Sequence, residues 1–139
     1  MNWYMKYKYA TIAQQVGNIF SESLEMLDEI VNQVYVTVNS TKSMPGMARY
    51  VADANVAKMY IRFENAARKI PELIRYKDIN SAKTMLSQAL QYVKQLCGYM
   101  KACSFKPFVD IDENLSNINI ILSNLDNQSK VNINVMQPG

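Results

Sequence analysis

Cations repeating at helical spacing are the most suggestive chemistry in this chain. Lys58, Arg62, Asn65 and Lys69 follow at steps of four, three and four, which sets them on one face of a helix. Lys83, Ser87, Gln91, Lys94 and Lys101 repeat the device with no acid between them. Cations interspersed with amides and hydroxyls are the side chains that bind phosphate oxygens. Lys58, Arg62, Lys69, Lys83, Lys94 and Lys101 are therefore candidate nucleic-acid contacts, although a solvated helix face has the same pattern.

The distribution of charge favours the first reading. The net charge is +3 over 139 residues. Residues 42–109 hold twelve bases against four acids, whereas residues 18–41 hold four acids and no base, and residues 110–139 four acids against one base. A basic middle thus lies between two acidic stretches, the sign asymmetry expected of a chain that meets a polyanion.

A second cluster opens the sequence. Trp3, Tyr4, Tyr7 and Tyr9 interleave with Lys6 and Lys8, a combination suited to stacking bases or docking on a partner and equally to plain packing. Gly98 and Tyr99 form a second candidate partner contact, because a glycine inside a helix costs about 1 kcal/mol and calls for a compensating close approach.

Catalytic chemistry finds little to work with. The chain has no histidine, which excludes His as general base or metal ligand. No glycine-rich phosphate loop, GxSxG turn or acid-rich calcium loop is present. Cys97 and Cys103, six residues apart, cannot complete a zinc site alone and do not form a CxxC pair. They read as small apolar residues on a helix, kept as thiols in a reducing compartment. The sequence predicts a non-enzymatic protein without metal or cofactor. With no apolar run of about 20 residues and no basic-then-apolar leader, a cytoplasmic location is expected.

The elements that position these residues are helical. Tyr9, Ile12, Val16 and Phe20 recur at three or four residues and predict a first helix ending near Gly17 or Asn18. Ser21 or Ser23 would cap a second, striped by Leu24, Leu27, Val31, Val34 and Val38. The alternation in Val34-Tyr35-Val36-Thr37-Val38 leaves a strand as the alternative there. After a polar turn at 39–46, a third helix carries Val56, Tyr60, Phe63, Ala67, Ile70 and Ile74, and Pro71 should end or kink it. Residues 77–81 supply the next turn, and a fourth helix runs from about Ser81 to Ala102. The sequence predicts an all-α, antiparallel four-helix bundle over residues 1–106. Residues 107–139, with seven asparagines in the last 30, read as an acidic extension. It has one short helix at Leu115, Ile118, Leu122 and Leu125, capped by Asp110 or Asp112, and a mobile tail from about Gln128.

Residues 50–57 (Tyr-Val-Ala-Asp-Ala-Asn-Val-Ala), leading to Ile61-Arg62-Phe63, and the run Tyr92-Val93-Lys94-Gln95-Leu96-Cys97-Gly98-Tyr99 resemble the accessory variability determinant (Avd) family of diversity-generating retroelements. Weaker echoes are Ile12-Ala13-Gln14 and Gln33-Val34, so the similarity spans about residues 9–103. The resemblance implies a four-helix bundle similar to ribosomal intervening-sequence proteins, assembled as a pentamer with a basic surface. It further implies binding to a reverse transcriptase and to RNA or an RNA–DNA hybrid during mutagenic cDNA synthesis. Arg62 falls at the family's basic position before an aromatic, and Gly98-Tyr99 at a small-then-aromatic pair where Trp is common. The chain departs from the pattern by Tyr for Trp, by lacking a proline-basic turn between the first two helices, and by its asparagine-rich end. The alternatives are the helical small subunit of an RNA-guided defence complex, or a viral or bacterial adaptor or structural assembly protein.

Overall fold

The computed structural model describes the backbone of residues 3–38 and 54–136 and the side chains of 3–33 and 54–126. Four helices make up the architecture: α1 (Trp3–Val38), α2 (Ala54–Arg75), α3 (Ile79–Met100) and α4 (Lys106–Met136). No strand occurs among the described residues. The predicted turn at 39–46 and the first residues of the third predicted helix, including Tyr50 to Asp53, lie outside them.

The bundle has four helices, as expected, but a different four. The predicted break at Gly17 does not occur, and α1 runs unbroken for 36 residues. Tyr9, Ala13, Val16, Phe20, Leu27, Ile30 and Val31 are all buried, so one stripe continues across the glycine. Burying both halves against the same neighbours outweighs the roughly 1 kcal/mol that Gly17 costs a helix. Ser23, predicted as a cap, sits inside the helix, where its hydroxyl donates to the Ile19 carbonyl at 3.0 Å. The backbone of 34–38 is helical, not extended.

The C-terminal segment is the fourth wall. Phe108, Ile111, Leu115, Ile118, Leu122 and Leu125 of α4 are buried in the common core, so residues 107–139 are no appendage to a bundle ending at 106. Asp110 and Asp112 lie within the helix rather than capping it, and the helix continues past Gln128 to Met136.

Each helix has two close neighbours, α1 and α3 both packing against α2 and α4. Named contacts fix the directions. Along the α1–α2 seam, Lys77 Nζ lies 5.5 Å from the Tyr9 ring, a Cβ on Gly17 would stand 3.8 Å from Pro71 Cγ, Phe20 meets Phe63 edge-on at 6.1 Å, and the Tyr60 hydroxyl donates to Asp28. Positions rise in α1 as they fall in α2, so the two are antiparallel. Asn114 donating to Ser23 at 3.2 Å, with Asp126 sharing a hollow with Met5 and Tyr9, sets the same relation for α1–α4; Lys83 bonding Asp126 at 3.2 Å, with Lys94 sharing a hollow with Phe108, sets it for α3–α4.

Pro71 does not end α2 where predicted; the helix continues through it to Arg75. Its ring lies beside Gly17 at the crossing, where even a Cβ would make an ordinary van der Waals contact. Both α2 and α3 end in paired 6→1 and 5→2 hydrogen bonds. These are Asp78 N–H to Leu73 O with Lys77 N–H to Ile74 O, and Ala102 N–H to Cys97 O with Lys101 N–H to Gly98 O. The left-handed position is lysine in both cases, Lys77 at φ 63° and Lys101 at φ 54°. Asp78 then caps α3 by accepting from Ser81 N–H at 3.3 Å.

Cys97 and Cys103 are joined by a disulfide with Cα atoms 4.8 Å apart, within the range a bridge requires. The expectation of two separate thiols is thus corrected. The turn of α3 folds Cys103 back beside Cys97, a proximity that a spacing of six does not reveal.

Candidate nucleic-acid interface

The order of helices around the bundle segregates charge. Adjacent α2 and α3 together carry seven bases and two acids. Adjacent α1 and α4 carry four bases and eight acids. One side of the bundle is therefore net positive and the opposite side net negative, which the small total of +3 conceals.

On α2, Tyr60, Glu64, Arg68, Pro71 and Arg75 form the flank toward α1, as the Asp28 and Gly17 contacts require. Lys58, Arg62, Asn65 and Lys69 form a second exposed row on the side away from it. Lys69 lies 3.4 Å from Glu72, with both side chains half exposed. Such a pair is worth little and leaves the ammonium in solvent. Arg68 donates to the Asn65 amide oxygen. The exposed surface of α3 adds Ser81, Thr84, Ser87, Gln88, Gln91 and Gln95, all neutral hydrogen-bonding side chains. No acid occurs anywhere in α3.

The two predicted rows do not merge into one face. Lys83 turns to α4, where its half-buried ammonium meets Asp126 at 3.2 Å. Lys94 lines a hollow of about 260 Å³ together with Val93, Cys97, Cys103, Phe108, Val109 and Asp112. Both belong to the α3–α4 side, across α3 from the α2 row. Lys101 sits beyond them at the end of α3. The structure thus keeps Lys58, Arg62 and Lys69 together and separates them from Lys83 and Lys94. Arg68 and Arg75, absent from the predicted set, are exposed on α2 as well. Their spacing with Pro71 carried the signal, but only the α1 contacts reveal which flank it marks.

The predicted partner contacts fall at opposite ends. Trp3 and Tyr4 are exposed at the start of α1, beside the α2–α3 turn, whereas Gly98 and Tyr99 are exposed at the far end of α3. Among the described residues a side chain at Gly98 would meet nothing within 4 Å, so no close approach by any of them explains that glycine. Among the described residues no group of acids and cysteines is arranged to hold a metal ion, and no helix is long and apolar enough to cross a membrane. Comparison with protein-family models, with curated proteins and with solved structures gave no match.

Proposed function

We propose that this chain is a non-enzymatic nucleic-acid-binding accessory protein that partners a reverse transcriptase in template-RNA-dependent cDNA synthesis, as the resemblance to the accessory variability determinant family implies. The observation that carries the nucleic-acid part is the α2–α3 side. There a row of cations stands beside neutral amides and hydroxyls, with eight of the ten acids of the four helices collected on the opposite side. That composition suits a phosphate backbone without reading its bases. RNA or an RNA–DNA hybrid in the cytoplasm is the expected partner. There the Cys97 and Cys103 pair would be kept reduced, and the turn would still be held by its backbone hydrogen bonds.

The opposite faces also suit association of copies, since a positive side on one copy complements a negative side on the next. A homo-oligomer, pentameric if the family resemblance extends that far, is part of the proposal. Light scattering at low and high salt, with and without nuclease, separates an assembly held by its own faces from one held by bound RNA.

The test is fluorescence anisotropy on labelled RNA. Neutralising Lys58, Arg62 and Lys69 together to Gln should weaken binding by at least roughly tenfold at low salt, whereas Lys106→Gln on α4 should leave it nearly unchanged. Equal affinity for all three proteins would overturn the proposal. Capture of the reverse transcriptase encoded at the same locus tests the partner.

A further inference from the structure

One end of the bundle carries a surface that the basic row does not account for. Trp3, Tyr4 and Tyr7 at the start of α1 are 79%, 65% and 62% exposed, and Tyr76 in the α2–α3 turn is 77% exposed. The Trp3 and Tyr7 rings lie nearly parallel, at 13° and 5.9 Å between centroids. They form a short stack whose outer surface faces solvent.

Their placement follows from helical spacing. Trp3, Tyr7, Ala10, Gln14, Gly17, Ser21 and Asp28 lie on one flank of α1, and Gly17 and Asp28 meet Pro71 and Tyr60 of α2. The Trp3–Tyr7 stack therefore stands on the flank facing α2 but projects past the level where α2 ends, Trp3 lying six residues, about 9 Å, outside Tyr9. Lys77 over Tyr9 sets the α2–α3 turn just inside the stack. Arg68 and Arg75 lie on the matching flank of α2. Lys6 and Lys8 share the aromatic turns of α1, whose first acid is Glu22. The acids near this end are engaged elsewhere, Asp78 in capping α3, Asp126 with Lys83 and Glu72 with Lys69.

We infer that this end of the bundle, built from Trp3, Tyr4, Tyr7 and Tyr76 with Lys6 and Arg75, is a stacking platform for the unpaired bases of single-stranded nucleic acid. The inference rests on the proposed nucleic-acid reading and adds strandedness to it. A base extends the Trp3–Tyr7 stack while the adjacent cations hold its phosphates, the arrangement that serves sequence-independent binding of single strands. Paired bases in a duplex have no free faces to offer. A lipid surface is a poorer fit, because Trp3, Tyr4 and Tyr7 would reach only the headgroup level and Ala10 is the only aliphatic residue among the exposed positions of α1 from Trp3 to Asn18.

Trp3 is the only tryptophan of the chain, so its emission reports the site directly. The experiment titrates the full chain with a 12-mer of oligouridylate, an abasic 12-mer of equal charge, a 12-base-pair duplex, and vesicles of phosphatidylcholine and phosphatidylserine. Oligouridylate should quench Trp3, and Trp3→Ala with Tyr7→Ala should weaken its binding roughly tenfold or more. Abasic and duplex affinities should stay within about twofold in the same variant, and Trp3→Phe should restore most of the loss. These residues are exposed, so circular dichroism of the variants should match the parent. If oligouridylate binds but neither quenches Trp3 nor responds to the double substitution, the platform is wrong and the phosphate reading survives. If no nucleic acid binds, both fail. Quenching or a blue shift with vesicles alone would overturn the inference in favour of a membrane surface.

Discussion

A chain ending at residue 105 should not fold. The truncation removes α4 and with it six buried side chains, Phe108, Ile111, Leu115, Ile118, Leu122 and Leu125. At about 1.5–3 kcal/mol for each buried apolar side chain, their transfer alone contributes roughly 9–18 kcal/mol. A compact unfolded state reduces that by roughly 10–40%. The remainder still matches or exceeds the roughly 5–15 kcal/mol by which a domain of this kind is stable. The loss also exposes the faces of α1 and α3 that α4 covers, Ser23 among them. Far-UV circular dichroism during urea titration is the assay: the full chain should unfold in one cooperative transition, and the truncated chain should show none. Two point substitutions calibrate the result. Leu115→Ala should cost about 2–5 kcal/mol, whereas Ile120→Ala, at an exposed position of the same helix, should stay within about 0.5 kcal/mol. A truncated chain unfolding cooperatively near the midpoint of the full chain would refute the reasoning and make α4 an appendage.

Smaller perturbations probe the joints. Ser23→Ala removes the acceptor of Asn114 and should cost about 1 kcal/mol in chemical denaturation; adding Asn114→Ala should cost less than the sum of the two single changes. Lys101→Gly relieves a left-handed residue and should stabilise by about 1 kcal/mol, while leaving RNA binding by the α2 row nearly unchanged, a pair of outcomes that melting and anisotropy read separately. Reducing Cys97–Cys103 releases a loop of only six residues' separation. It should lower stability by at most about 2 kcal/mol and leave RNA affinity unchanged; complete unfolding on reduction would show that the backbone bonds do not hold the turn alone.

Much of the core was legible in the sequence because the apolar stripes are regular. Val16, Phe20, Phe63, Ile70, Leu115 and Leu122 fall on the predicted stripes, and all are buried. Local punctuation misled at two positions. Gly17 and Pro71 each read as breaks, yet they meet one another across the α1–α2 seam, a tertiary accommodation that neither segment encodes by itself. The same limit applies to the site. Spacing correctly grouped Lys58, Arg62 and Lys69, since one helix carries all three. It could not show that Lys83 would find Asp126 or that Lys94 would line one hollow with Asp112, because those relations depend on the order of helices around the bundle. That order became readable only when residues 106–136 proved to be a wall of the bundle. The start of α1 and the α2–α3 turn share one end of the bundle for the same reason, through an antiparallel pairing that joins distant parts of the chain.

The salt dependence of RNA binding tests the central claim most directly. If the five cations of α2, Lys58, Arg62, Arg68, Lys69 and Arg75, each neutralise one phosphate of a single strand, the slope of log K against log salt should be about −3.5 between roughly 50 and 200 mM. Neutralising Lys58, Arg62 and Lys69 should flatten it to about −1.4. A slope near zero in the parent chain, or one that the triple substitution leaves unchanged, would contradict the account.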